Sequence, residues 1–396
     1  MIADLDPEVH AWIREFVDRY IRPVAHKLDA KRDFDTFPWE ILKKASELGI
    51  GALTLTEATG GAGFGNLAAV KAIEEIATGD VGIAMTLGQC LQGAELIERY
   101  GSGSQRERIL GEYLADATAV FAVAADADEV SDRTNSEQVG DFRPAYADKI
   151  DGGWMIDGVK RFVLNADRAR FFVVCLRVVA TPLVARSTIC LLLENGHPGL
   201  RAEKLNETVG RRLSSESALH FDKCKVADEA TLGSVGDGDF KSDVLRTKNL
   251  LSAACALGVA RASFEQAVAW TRQRVQLGKA LIEHDTVAIT LATMKMRLDS
   301  ARAYVYDACR ANDRADETDG TLGLLPKVLS TQMAWGLAVE ALELHGGWGY
   351  MRDVPMEKLV RDAASLLAWD PPNGQLLLQA GQLIKAVHPA VSVGNN

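Results

Sequence analysis

The chain has 396 residues, 47% hydrophobic and 25% charged, enough apolar content to bury a core in each of two or three domains. A net charge of −10 argues against a nucleic-acid surface, because phosphate contacts need clustered Lys and Arg. No apolar run approaches the ~20 residues that span a bilayer, and the amino terminus carries neither a basic leader nor an Arg-rich transit helix, so a cytoplasmic protein off the membrane is expected.

The first third reads as helical. Asp6-Pro7-Glu8 is a cap with proline at the first helical position, and Val9, Trp12, Ile13, Phe16, Val17, Tyr20 and Ile21 then recur at three and four. Thr36-Phe37-Pro38-Trp39-Glu40 starts a second helix, stopped by Gly49. Helices over 67–77 and 83–100 follow, separated by Thr78-Gly79-Asp80, and a short one covers 105–114. Gly61-x-Gly63-x-Gly65 invites comparison with a phosphate loop. Such loops connect a strand to a helix, however, and a structural turn fits the preceding Ala52–Thr56 segment better.

From about Thr118 the texture changes to short runs rich in β-branched and aromatic residues: 119–123, 154–156, 161–164, 171–179, 188–193 and 218–221. Turn clusters such as Asp151-Gly152-Gly153 and Gly196-His197-Pro198-Gly199 break them up, giving a small antiparallel β domain. Long helices return over 242–274, 284–311, 324–344 and 372–387. The expected layout is an N-terminal α-helical domain (1–117), a middle β domain (118–238) and a C-terminal four-helix bundle (239–396), an α+β multidomain chain. Cys90, Cys175, Cys190, Cys224, Cys255 and Cys309 lie far apart with no CxxC spacing, which reads as reduced buried thiols with no disulfide framework and no metal site.

The most informative stretch is Gly346-Gly347-Trp348-Gly349-Tyr350, followed by Glu357-Lys358-Leu359-Val360-Arg361-Asp362-Ala363 and ending at Trp369-Asp370. With Gly60-Gly61-Ala62-Gly63-Phe64-Gly65 and Glu74-Glu75-Ile76-Ala77, Trp154 to Lys160, Gly210-Arg211-Arg212, and Arg272 to Lys279, it resembles the acyl-CoA dehydrogenase superfamily over nearly the whole chain. Those flavoenzymes desaturate acyl thioesters with FAD, so the resemblance implies FAD, an acyl-CoA or acyl-carrier-protein substrate, and an electron-transfer flavoprotein or oxygen as acceptor. It also implies a homotetramer or homodimer.

The resemblance puts Asp370 where the family has its catalytic glutamate, and Trp369 at a position that is commonly aromatic. Asp370-Pro371-Pro372 also reads as a helix cap, and the two roles are compatible. Where some relatives place the base on an earlier helix, this chain has Lys248 beside Asn249, neither a carboxylate, with Asp243 reachable only through a shifted register. Lys248 is also a candidate partner for a substrate phosphate. Arg274 resembles the arginine that reaches the FAD pyrophosphate of a neighbouring subunit, a task suited to a bidentate, permanently charged group. Leu277 stands for a cofactor-packing phenylalanine, and Gly346 and Gly347 would let the backbone lie against the dinucleotide.

The chain also departs from the family. Ala124 and Leu164, the latter beside Phe162, replace flavin-edge threonines, and Asp285 and Glu343 replace glutamines near the cofactor. Ser131 remains from a substrate-facing turn. His284 and His345 read as helix-end residues rather than acid–base groups. These departures keep two other readings open: an FAD oxidase or monooxygenase resembling nitroalkane oxidases, or a non-catalytic subunit paired with an active homologue in a hetero-oligomer.

Overall fold

A computed structural model describes residues 7–31, 36–124, 143–178, 188–204, 207–234, 238–314, 320–369 and 371–387. Its main helices are α1 (Pro7–Phe16), α2 (Arg22–Ala30), α3 (Trp39–Glu47), α4 (Asn66–Ala77), α5 (Val81–Tyr100), α6 (Gly238–Gln273), α7 (Asp285–Asp313), α8 (Leu325–His345), α9 (Met356–Ala368) and α10 (Asn373–Val387). The single helix expected from the first apolar stripe is instead two helices joined by a π-turn (Val17–Ile21), although Ile13, Phe16, Val17 and Ile21 are buried as that stripe requires. The C-terminal region contains α9 besides the four expected helices. The chain divides into two compact units, one of Met1–Val17, Gly65–Val81 and Asn249–Asn396, the other of Asp18–Phe64 and Gly82–Lys248.

The second unit holds an eight-stranded sheet: β1 (Phe121–Ala124), β2 (Tyr146–Ile150), β3 (Gly153–Leu164), β4 (Phe171–Val178), β5 (Thr188–Glu194), β6 (Leu200–Lys204), β7 (Glu216–Ala227) and β8 (Thr231–Leu232). Seven form the order β6-β7-β3-β2-β4-β5-β8, with β1 added against β4. The expectation of an antiparallel domain needs correcting, since β1 and β2 both run parallel to β4. Both faces of β4 and β5 are covered, so their sequences are nearly continuous apolar runs rather than alternating ones. Phe172, Val174 and Leu176 join Ile156, Leu191 and Leu219 on one face, while Phe171 packs against Phe121, ring centroids 5.3 Å apart and planes tilted by 33°, on the other.

Cys175 and Cys190 face each other in the β4–β5 register and are joined by a disulfide, which overturns the expectation of six free thiols. Sequence spacing alone does not disclose strand register, so the pair was not visible in the chain. Cys90, Cys224, Cys255 and Cys309 are free and buried, and burial pushes the Cys90 thiol up to about 11. In the glycine loop, a Cβ at position 61 would lie 2.2 Å from the Leu55 carbonyl oxygen and 2.6 Å from that of Ala52. This glycine is there because backbone passes over it, in keeping with a structural turn.

The first unit is helical. Its centre is an ion network around the buried pair Glu74 and Glu75 on α4. Arg302 on α7 donates to Glu74 from Nη2 (2.8 Å) and Nε (3.1 Å), and the Tyr306 hydroxyl adds a third hydrogen bond at 2.8 Å. Arg261 on α6 reaches Glu75 at 2.7 Å, with His10 and Arg14 of α1 at 3.3 and 3.5 Å. Burial raises the Glu75 carboxyl pKa, but Arg261, Arg14 and His10 outweigh it and hold that pKa below the usual value. The family-like Glu74-Glu75 pair therefore ties α4 to three other helices.

Candidate functional site

Two sets of residues singled out from the sequence lie in the helical unit, and a third lies in the sheet unit. The first set surrounds the turn after α6. Residues 275–280 form a tight hairpin in which Val275 pairs with Ala280, and the Leu281 N–H donates to the Arg274 carbonyl at 2.8 Å. Leu277 occupies the turn with φ of 50° and is 94% exposed. An apolar side chain held out to solvent by a strained backbone suggests a partner that covers it. Arg274 is exposed, and its guanidinium pairs with no carboxylate among the described residues. Asp285 opens α7 and is also exposed.

The second set is the end of α8. Gly346 terminates the helix at φ of 58°, its N–H donating to the Glu343 carbonyl. A Cβ on Gly346 or Gly347 would meet nothing within 4 Å, so these glycines leave open space rather than fill a packed turn. Glu343 is exposed, as are Trp348 and Tyr350. His345 supports the turn from behind, stacked on Trp270 at 4.9 Å, with Nδ1 donating to the Ala341 carbonyl at 2.7 Å. That bond fixes the neutral tautomer with the proton on Nδ1, and burial lowers the His345 pKa.

The unfolded chain therefore takes up a proton near the ordinary histidine value of ~6.5 before the native state does, and protonation favours unfolding. The stability His345 contributes is complete above that value and is lost as pH falls through the lowered native pKa. Urea midpoints measured from pH 7.5 down to 5 should decline less in His345→Gln than in the parent chain. An equal decline would show that His345 does not carry this dependence.

The third set sits where β1 and β3 end. Phe162 lies in a register shift between Lys160 and Val163, with φ of 57° and 71% exposure. Bulges of this kind re-aim a side chain out of the sheet. Ala124 and Leu164 are buried. Two residues not singled out from the sequence hold this edge. With its amide oriented to satisfy its neighbours, Gln89 donates to the Leu164 carbonyl (3.0 Å) and the Phe121 carbonyl (3.2 Å) and accepts from the Val123 N–H (3.1 Å). Asn165, fully buried at φ of 56°, donates to Thr86 Oγ1 at 2.7 Å and accepts the Ser215 N–H at 2.8 Å. A glutamine within an apolar helix and an asparagine after a strand were the only available signals.

Asp370 and Ser131 lie outside the described residues. Trp369 is half-buried, and Pro371 is buried. Lys248 is half-buried on α6, and Asn249 is buried with its Nδ2 donating to the Gly323 carbonyl at 2.8 Å, which makes it a brace for the turn before α8. Asp243 is engaged by Arg99 at 2.7 Å, by Arg246, and by the Tyr100 hydroxyl. Both oxygens of this carboxylate are therefore already occupied by donors.

The block after the glycines is a packing device. Arg361 pairs with Glu357 at 2.6 Å one turn earlier on α9, while Lys358 bridges Asp362 (2.6 Å) and Asp80 (2.8 Å). An exposed arginine with no carboxylate partner among the described residues, an exposed leucine and two bare glycines suit an anionic dinucleotide; the exposed acids Asp285 and Glu343 fit only where they avoid its phosphates.

Three family models match the chain in order. Acyl-CoA dehydrogenase, N-terminal domain, matches residues 6–116; the middle domain, 120–224; and the C-terminal domain, 242–379. An acyl-CoA dehydrogenase of Bacillus subtilis is 28% identical over 366 residues, covering 91% of this chain and 93% of that protein. A short-chain-specific acyl-CoA dehydrogenase of Megasphaera elsdenii is 27% identical over 392 residues, covering 97% and 99%. The solved structure of butyryl-CoA dehydrogenase from Megasphaera elsdenii matches with a TM-score of 0.86 at 26% identity, over 97% of this chain and all of that one.

Proposed function

This chain belongs to the acyl-CoA dehydrogenase family, and on that premise we propose that it desaturates an acyl thioester, with Asp370 removing the α-proton as the β-hydrogen leaves as hydride. FAD, the cofactor of the family, supplies the hydride acceptor when bound. The α-proton of a thioester is only weakly acidic, so its removal needs a carboxylate in a dry site and donors for the developing oxyanion. The observation that carries the assignment is that the rival carboxylate is already committed. Asp243 is held by two arginines and a tyrosine, and its neighbours Lys248 and Asn249 carry no carboxylate.

Arg274 would hold the pyrophosphate of a neighbouring copy's FAD, Leu277 would pack on the cofactor, and Gly346 and Gly347 would admit its backbone. Phe162, Leu164 and Ala124 would border the ring through main-chain donors, with Asp285 and Glu343 directed at the adenosine hydroxyls. Lys248 would meet a phosphate of coenzyme A or of a carrier arm, and Asn249, Ser131 and Trp369 are the other residues assigned to the substrate. The exposure of Leu277, Ile289, Met296 and Tyr350 in the helical unit supports a homotetramer or homodimer, which sedimentation would establish.

The test is an absorbance spectrum of the purified protein, followed by anaerobic addition of a panel of acyl thioesters, on coenzyme A and on carrier protein, starting from butyryl-CoA. A yellow protein bleached by one of them is the expected result. A colourless protein that copurifies with a homologue would replace this reading with that of a non-catalytic subunit. Fast reoxidation by oxygen, rather than by an electron-transfer flavoprotein, would mark an oxidase.

A further inference from the structure

We propose that Trp270 and His345 are positioning residues for the cofactor, their stacked rings setting Arg274 against the Gly346–Gly347 turn so that both meet one dinucleotide. The inference rests on the reading of Arg274 and the two glycines as cofactor-binding. Trp270 lies in the last turn of α6, and His345 is the last residue of α8. Their ring centroids are 4.9 Å apart and the planes are tilted by 21°. On one side, the Trp270 carbonyl accepts the Arg274 N–H at 2.9 Å, and Arg274 in turn closes the 275–280 hairpin through its bond from Leu281. On the other side, the turn folds back over His345. A Cβ at Gly349 would stand 3.0 Å from the His345 Cβ and 2.5 Å from the Leu342 carbonyl oxygen, and the Gly349 N–H donates to the Gly346 carbonyl at 3.0 Å. An unbroken run of contacts thus joins the Arg274 backbone to the glycine turn.

Helix ends are where position is hardest to hold, because the last carbonyls lack intrahelical partners and the final turn frays. Here the buried His345 ring is held by its Nδ1 bond to the Ala341 carbonyl at 2.7 Å. Its flat face offers Trp270 a docking plane of defined geometry, which an aliphatic pair would not supply. Arg274 and Leu277 are themselves exposed, so their placement relative to the glycines comes through the helix ends rather than through packing of their own side chains. A ligand gripped by two segments must otherwise order one against the other as it binds. A rigid link between them lowers that cost before the ligand arrives. Loss of the stack should therefore weaken the hold on FAD, and should do so through Arg274.

The experiment follows FAD release from the purified holoprotein, read as the rise in flavin fluorescence after dilution. Trp270→Leu keeps an apolar group but no ring, and is expected to speed release about 5- to 10-fold. Trp270→Phe keeps a ring to stack and should stay within about 2-fold of the parent. In an Arg274→Gln background, Trp270→Leu should add less than about 2-fold, because the group it positions is already gone. A purely structural role would speed release equally in both backgrounds. Should Trp270→Leu fail to fold, His345→Gln removes the other ring while keeping an N–H for the Ala341 carbonyl. It is expected to give the same loss of about 5- to 10-fold, again only when Arg274 is present. Release at the parent rate in a folded variant lacking either ring, no recovery in Trp270→Phe, or losses that multiply in the double variant overturns the proposal. Release at the parent rate in Arg274→Gln instead removes that arginine from the cofactor site, so the two failures are distinguishable.

Discussion

Replacing Asp370 by Asn should slow bleaching of the bound flavin by an acyl thioester by ~10²–10⁴-fold, the usual contribution of a positioned general base, while the protein stays yellow. Asn matches Asp in shape and accepts hydrogen bonds, but it cannot take the α-proton. The variant therefore separates proton removal from folding and cofactor binding. FAD should remain because the residues assigned to it, Arg274, Leu277, Gly346 and Gly347, lie in other segments of the chain. Bleaching at the parent rate would exclude Asp370 as the base. Asp is one methylene shorter than the glutamate that the sequence resemblance places at this position. Asp370→Glu is thus an informative companion, and a gain in rate with unbranched acyl thioesters would show that carboxylate reach sets the choice of substrate.

The second large effect concerns stability. Lys358→Met should lower unfolding stability by about 3–5 kcal/mol, read as a shift of the urea midpoint at pH 7. Lys358, Asp80 and Asp362 are each no more than 4% exposed, and the ammonium stands within 2.8 Å of both carboxylates. Methionine fills a similar volume, but it removes the ammonium that stands between two buried carboxylates. The cost lies in the buried negative charge left behind rather than in the ion pairs themselves. The triple variant Asp80→Asn, Lys358→Met, Asp362→Asn should therefore recover much of the loss. A Lys358→Met protein as stable as its parent would mean that water reaches the site and solvates both acids.

This triad also shows how far the chain could be read without coordinates. Glu357 to Ala363 carried the family resemblance, yet its charged residues serve packing, with Arg361 on Glu357 and Lys358 between two aspartates. The i,i+4 spacing of those pairs was visible in the chain. The third partner was not, because Asp80 is 278 positions away and only folding brings it beside α9. Lys327 escaped notice for a related reason. A lysine at the start of a helix reads as a solvated charge, yet this one is buried and donates to the carbonyls of Trp369 and Pro371, more than forty positions away.

The features that follow from local chemistry were legible in the residues themselves. Apolar spacing at three and four marked most of the helices, β-branched runs marked the strands, and the glycines at 346 and 347 marked a backbone with open space beside it, because each depends on near neighbours in the chain. Tertiary structure decided what depends on distant partners: the parallel pairing of β1 and β2 with β4, the facing of Cys175 and Cys190, and the engagement of Asp243 by Arg99, Arg246 and Tyr100. Register and long-range charge pairing are set by packing across the fold, and the order of residues along the chain carries no direct record of them.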